Sequence, residues 1–188
     1  MRVLGISGSL RRGSHNTALL RHAGELFEAE GVEFTIYDSW REVPIYDEDL
    51  DVESPHAAVA RLRAAVREAD SVFFATPEYN ASIPGGLKNT VDWLSRPSLA
   101  ESVLRNKPVA VVGASTGAFG ATWAQAELRK VPAALGARVL DFELPVPHAR
   151  TRFDEGELTD EEIRADLADA VAALAEEIRQ RGRAKVVA

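Results

Sequence analysis

Apolar positions along the chain fall into short continuous runs that alternate with stretches of helical spacing. Val3 to Ile6 is a brief apolar run closed by a Ser/Gly cluster, and Leu19, Leu20, Ala23, Leu26 and Phe27 then recur on one helix face. This predicts strand, loop, helix. Gly31 stops the helix, and Val32 to Tyr37 alternates as a second strand. Asp38 to Asp51 is polar around Pro44-Ile45-Tyr46 and reads as a long loop. Ser54 and Pro55 supply an N-cap and a first-turn proline for a helix with Val59, Leu62 and Val66 on one face. Asp70 to Thr76, centred on Val72-Phe73-Phe74, predicts a third strand buried on both faces.

The same alternation continues downstream. A loop from Pro77 to Pro84 precedes a helix through Leu87, Val91 and Leu94, and Pro108 to Gly113 is a fourth strand ending in the small, hydroxyl-rich stretch Ala114 to Gly120. Ala124, Leu128, Val131 and Leu135 mark another helix, which Pro132 is expected to kink or shorten. Arg138 to Leu140 is a short last strand. Thr159 and Glu162 form a capping-box pattern ahead of a helix with Ile163, Leu167, Val171, Leu174 and Ile178 on one side. Gly182 onward is expected to be a mobile tail, which leaves residues 1–181 as a single domain and 182–188 outside it.

Five strands alternating with helices predict an α/β fold, a doubly wound parallel sheet with helices on both faces. Ligands of such sheets bind beyond the carboxyl ends of the strands, where strand order reverses. In the order 2-1-3-4-5 the first, third and fourth strands are neighbours. The three unusual loops follow those strands, so they would converge on one rim.

Composition narrows the class. The chain has 188 residues, enough for one sizeable core, and a net charge of -7 that argues against general affinity for nucleic acid or anionic membranes. It contains no cysteine, so disulfides, thiol chemistry and thiolate metal sites are excluded. The apolar run at the start is too short for a signal-peptide core and none approaches a membrane span, so a cytoplasmic protein is expected.

The first loop, Gly5 to Asn16, carries the chemistry of an anion cradle. Its glycines permit tight backbone turns, Ser7, Ser9 and Ser14 offer hydroxyls, and a helix starting near Asn16 aims unpaired N–H groups at a ligand. Gly8 and Gly13 have the outer spacing of a P-loop, but Ser14 and His15 stand where Lys and Ser/Thr belong, which argues against an ATPase. The dinucleotide fingerprint also fails, because Ser7 and Leu10 occupy its second and third glycine positions. A phosphate of some other ligand is the expected guest.

Two blocks go further. Gly8 to Asn16, and above all the long stretch from Pro77 to Arg96, resemble the NADPH-dependent FMN reductase family, flavodoxin-like flavoproteins that include quinone, azo-dye and chromate reductases. Pro44 to Asp47 fits as well, and the likeness covers roughly residues 2 to 145. The resemblance implies non-covalent FMN, NADPH or NADH as hydride donor, and ping-pong reduction of quinones, azo dyes, chromate or free flavin through flavin N5. It places the flavin phosphate on Ser9, Arg11, Ser14 and Asn16, the isoalloxazine ring along Pro77, Glu78, Tyr79 and Asn80, and Ser115, Thr116 and Gly117 beside the flavin. No side chain is required as an acid or base, because the reaction is the cofactor's. The family also implies a homodimer or homotetramer, with the helix after Pro84 as a subunit contact.

Plainer readings stand beside these. His15 reads as an exposed loop residue, His22, His56 and His148 have no metal spacing, and Trp93 reads as core or subunit contact. Glu78 is expected to act through its backbone, Lys88 and Asp92 as a helical i,i+4 pair, and Asp38 as a turn residue. Gly85 and Gly86 weaken the helix they open, which would make the edge of the site mobile. A flavodoxin-type electron carrier without NAD(P)H oxidation and a phosphate-binding module without flavin are the alternatives of other classes.

Overall fold

The computed structural model describes residues 1–52, 55–96 and 101–187, with side chains through Gly182. Strands β1 (Arg2–Ser7), β2 (Glu33–Ile36), β3 (Ser71–Thr76), β4 (Pro108–Ala114) and β5 (Arg138–Val139) form a parallel sheet in the order β2-β1-β3-β4-β5. Helices α1 (His15–Ala29), α2 (Ala57–Glu68), α3 (Gly85–Leu94) and α4 (Thr122–Ala134) alternate with them. The expected flavodoxin-like order is therefore the observed one. All six residues of β3 are buried, as a central strand covered on both faces requires.

The period of two along each strand divides the core. Val3 and Phe73 point into a cluster with Leu19, Leu20 and Phe27 of α1, whereas Leu4, Ile6 and Phe74 point to the other face, toward Leu62, Leu87 and Val91. The last helix, α5 (Glu161–Val187), closes the first cluster with Leu167, Val171 and Leu174. Its backbone stays helical past Gly182, so that glycine does not end the helix.

Three local expectations are corrected. The last helix is capped by Asp160, whose Oδ1 accepts from the Ile163 N–H at 3.2 Å, while Thr159 Oγ1 donates instead to the Arg152 carbonyl. Asp160 is the residue immediately before the first helical position, and so its carboxylate meets the free N–H groups. Helix α2 opens at Ala57 with His56 as cap, its Nδ1 accepting from the Ala58 N–H, so Pro55 lies outside the first turn; Ser54 lies outside the described residues. The outer edge of β4 is shared: Pro108 and Val109 pair with β5, and Gly113 and Ala114 pair with a further strand, β6 (Pro145–Val146). A hairpin of β7 (Phe153–Asp154) and β8 (Glu157–Leu158) follows. Two-residue strands leave no periodicity to read.

Candidate active site

The three loops, which follow β1, β3 and β4, do meet at one rim. Ser9, Arg11, Ser14, His15 and Asn16 from the first, Pro77, Glu78 and Tyr79 from the second, and Ala114, Ser115 and Thr116 from the third line one cleft of about 280 Å³. Nine of the eleven site residues read from the sequence line this cleft. Asn80 and Gly117 do not line it and sit in the adjoining turns.

The first loop is built from hydroxyl contacts. Thr17 Oγ1 donates to Ser7 Oγ at 3.0 Å, and the Ser9 N–H reaches the same oxygen at 3.3 Å. Ser14 is the N-cap of α1, accepting from the Thr17 N–H at 3.2 Å. An N-cap serine keeps its hydroxyl proton for a second partner, and the helix end behind it favours an anion. Gly8 is demanded by packing: a Cβ there would fall 2.9 Å from Leu87 and 3.0 Å from Pro77. The exposed Arg11 side chain lines the cleft and has no ion-pair or hydrogen-bond partner among the described residues.

Asn16 lines the cleft and also ties two elements together. Its side-chain amide donates to the Ala114 carbonyl and accepts from the Ala114 N–H, both at 2.9 Å, and the residue is buried. Each half of the amide thus holds one bond that ties α1 to the end of β4, and the second N–H of the amide has no acceptor among the described residues. His15 packs its ring 4.9 Å from that of Phe153. Its pKa is held below the ordinary histidine value, first by burial and then by the Arg11 and Arg150 guanidinium groups. Arg150 belongs to a segment with no sequence signal, and it is brought here because the His148 and Ala149 N–H groups bond the Gly117 and Ser115 carbonyls at 3.0 Å each.

The second loop is a tight turn. Tyr79 and Ser82 exchange two backbone hydrogen bonds, at 3.1 and 3.2 Å, across Asn80 and Ala81, both left-handed at φ 53° and 57°. Two consecutive positive φ values make this a type I′ turn. Glu78 uses its side chain as well as the backbone expected to act: its Oε2 accepts from the N–H groups of Trp123 and Ala124, at 3.0 and 3.2 Å. Around the rim, Tyr79, Phe119 and Trp123 are exposed.

The neighbouring elements follow the plainer readings. Trp93 is fully buried and donates its indole N–H to the Pro44 carbonyl at 2.8 Å, and Lys88 pairs with Asp92 at 2.6 Å. Asp38 precedes a short 3-10 turn and accepts from Ser39 Oγ. Gly86 has a steric reason, since a Cβ would come within 2.8 Å of the Trp40 ring.

A doubly wound parallel sheet with a hydroxyl-lined, cationic cleft at its switch point defines a flavodoxin-like, mononucleotide-binding protein. Comparison with known proteins narrows the class: the sequence pattern of the NADPH-dependent FMN reductases matches residues 1–151, and the chain belongs to that family. It is 41% identical over 176 residues to an NAD(P)H-dependent FMN reductase of Pseudomonas aeruginosa, covering 93% of each chain. It is 39% identical over 142 residues to a quinone reductase of Escherichia coli K12, covering 75% of this chain and 74% of the relative. Among solved structures, FerB, a flavoenzyme NAD(P)H:(acceptor) oxidoreductase from Paracoccus denitrificans, superposes with a TM-score of 0.82 at 33% identity, covering 95% of this chain and 97% of that one. The protein is an oxidoreductase that uses FMN and NAD(P)H. Family membership decides against both the electron carrier and the flavin-free binding module. Among the described residues, no helix is long and apolar enough to cross a membrane.

The cleft fits the phosphate of an FMN on its own chemistry, with a guanidinium that has no partner among the described residues, hydroxyls at Ser9 and Ser14, and a helix N-terminus.

Proposed function

We propose that this protein reduces quinones and similar small, flat acceptors at the open end of the cleft. The carrying observation is the convergence of three separate loops on one cleft, with Arg11 on the loop after β1 and the Glu78 carboxylate on the loop after β3 set against the start of α4. Ser9, Arg11 and Ser14 hold the phosphate. Pro77, Glu78, Tyr79 and Asn80 lie along the ring, with Ser115, Thr116 and Gly117 opposite. Asn16 acts from behind, by fixing the end of β4 against α1. When bound, FMN supplies the redox chemistry, taking hydride equivalents from NAD(P)H and passing them to the acceptor. This chain's own residues orient the ring and leave its outer face open between exposed aromatic side chains.

The relatives named as quinone reductases support quinones as acceptors, and the same open site suits azo dyes, chromate and free flavin. A cytoplasmic homodimer or homotetramer, joined through the face of α3, completes the reading. Mixing the protein with FMN, NADPH and benzoquinone tests it. NADPH absorbance falls in proportion to quinone reduced, whereas NADPH left unconsumed while FMN is bound removes the acceptor assignment. Light scattering reads the assembly state, and a monomer at micromolar concentration rejects the oligomer.

A further inference from the structure

The carboxylate of Glu78 has a task that its place in the ring-facing turn does not explain. Helix α4 begins after Ala121, a left-handed residue at φ 64° that offers no side-chain cap. A helix that opens this way leaves its first N–H groups without acceptors and about half a positive charge at its end. Glu78 supplies the missing acceptor from another loop, through a single oxygen shared by Trp123 and Ala124. A second link runs parallel to it, because Ser82 Oγ donates to Glu127 Oε2 of the same helix at 2.5 Å. The turn from Tyr79 to Ser82, rigid through its paired backbone bonds, is thus clasped to α4 at both ends. Within the turn the Tyr79 N–H is consumed by Ser82, while nothing among the described residues accepts from the Glu78 N–H.

We propose that Glu78 is a positioning residue: its carboxylate welds the ring-facing turn to the start of α4, aims its own N–H into the cleft, and cancels the positive end of that helix beside the flavin ring. The assignment rests on the placement of the ring along Pro77–Asn80 proposed above. The electrostatic consequence follows from the sign of the charges. A reduced flavin gains negative charge near its ring, so an anion nearby disfavours reduction and a bare helix N-terminus favours it. The intact pair leaves the ring side near neutral, and the site's cations stay at the phosphate end with Arg11.

Glu78→Gln separates charge from tether, because the amide oxygen still accepts from α4 while the charge is gone. The variant is expected to bind FMN within about threefold of the parent, and to favour reduction about tenfold more, a rise of about 30 mV for a two-electron couple. Glu78→Ala removes both, and amide exchange at Trp123 and Ala124 should speed up about tenfold, the loss of one hydrogen bond to a charged group. Exchange is followed with and without FMN, and the potential by spectroelectrochemical titration of the loaded protein. If FMN slows exchange across residues 77–80 but neither the potential in Glu78→Gln nor exchange at Trp123 and Ala124 in Glu78→Ala moves, the role of Glu78 is overturned and the site assignment stands. If FMN leaves exchange at 77–80 unchanged in the parent protein, the ring placement itself falls, and this role with it.

Discussion

Arg11, on the loop after β1, and Asn16, in the first turn of α1, stand five residues apart and do different kinds of work. Arg11 is exposed and its side chain has no hydrogen-bond or ion-pair partner among the described residues, so its main contribution is expected with ligand. Arg11→Ala should weaken FMN binding about 10- to 100-fold, the equivalent of a charge-assisted hydrogen bond of about 1.5–3 kcal/mol, and leave the urea midpoint of the apoprotein unchanged. Fluorescence titration of FMN measures the first and urea denaturation the second. Asn16→Ala should do the reverse in stability, because it strands a buried N–H and a buried carbonyl of Ala114 and costs on the order of 3 kcal/mol. His15 adds a pH dependence. Its folded pKa is depressed, first by burial and then by Arg11 and Arg150, so the unfolded chain binds the proton more readily than the folded one. Stability therefore falls as pH drops through about 6.5, the ordinary value, and stops falling below the depressed folded value. Urea midpoints at pH 7.5 and 5.5 should differ less in His15→Gln than in the parent, and equal differences would show that His15 contributes nothing.

At the scale of elements, caps and turns decide what periodicity leaves open. The helical face of α5 is legible in Ile163, Leu167, Val171, Leu174 and Ile178, all of which are buried. Its start is not, because Thr159 and Asp160 are both good caps and only the chain path from the β7–β8 hairpin selects Asp160. Asp160 is held below the usual carboxylate range, first by the Ile163 N–H and then by Arg152. Asp160→Ala should cost about 1 kcal/mol by urea denaturation, whereas Thr159→Ala should cost markedly less. The turn at Asn80–Ala81 offers the opposite case. Ala81 pays for a left-handed backbone that glycine adopts freely, and Ala81→Gly should raise stability by up to about 1 kcal/mol. A loss of stability would mean that the methyl group makes a contact worth more than the strain.

At the scale of the whole molecule, the sheet brings together residues that lie as much as 107 positions apart in sequence, from Ser9 to Thr116. A cleft assembled from three loops is stabilised as a unit when filled. At a hundredfold excess over its dissociation constant, FMN should add about 2.7 kcal/mol and raise the melting temperature by roughly 5–10 °C. A shift below about 1 °C under those conditions would contradict the cleft as the FMN site.

The order of strands and helices, the two-sided burial of β3, and the three loops that form the cleft were determined by the sequence alone. Each rests on information that local chemistry carries: a period of two or 3.6, a proline, a run of glycine and serine. The long block from Pro77 to Arg96 also carried enough identity to name a family. What only the tertiary structure decided is which polar atoms are left for a ligand. Asn16 looks like Ser14 in sequence, yet its amide holds two bonds to Ala114 across 98 residues. Glu78 turns away from a purely local role to cap a helix 45 residues on. Arg150 arrives beside His15 through backbone bonds to the fourth-strand loop that no motif announces. Hydrogen-bond partners are settled by proximity after folding, and a residue's type records what it can offer rather than what takes it. The first loop is thus proposed as an anion cradle with Ser9, Arg11 and Ser14 as its donors and Asn16 as the residue that also clamps α1 to β4.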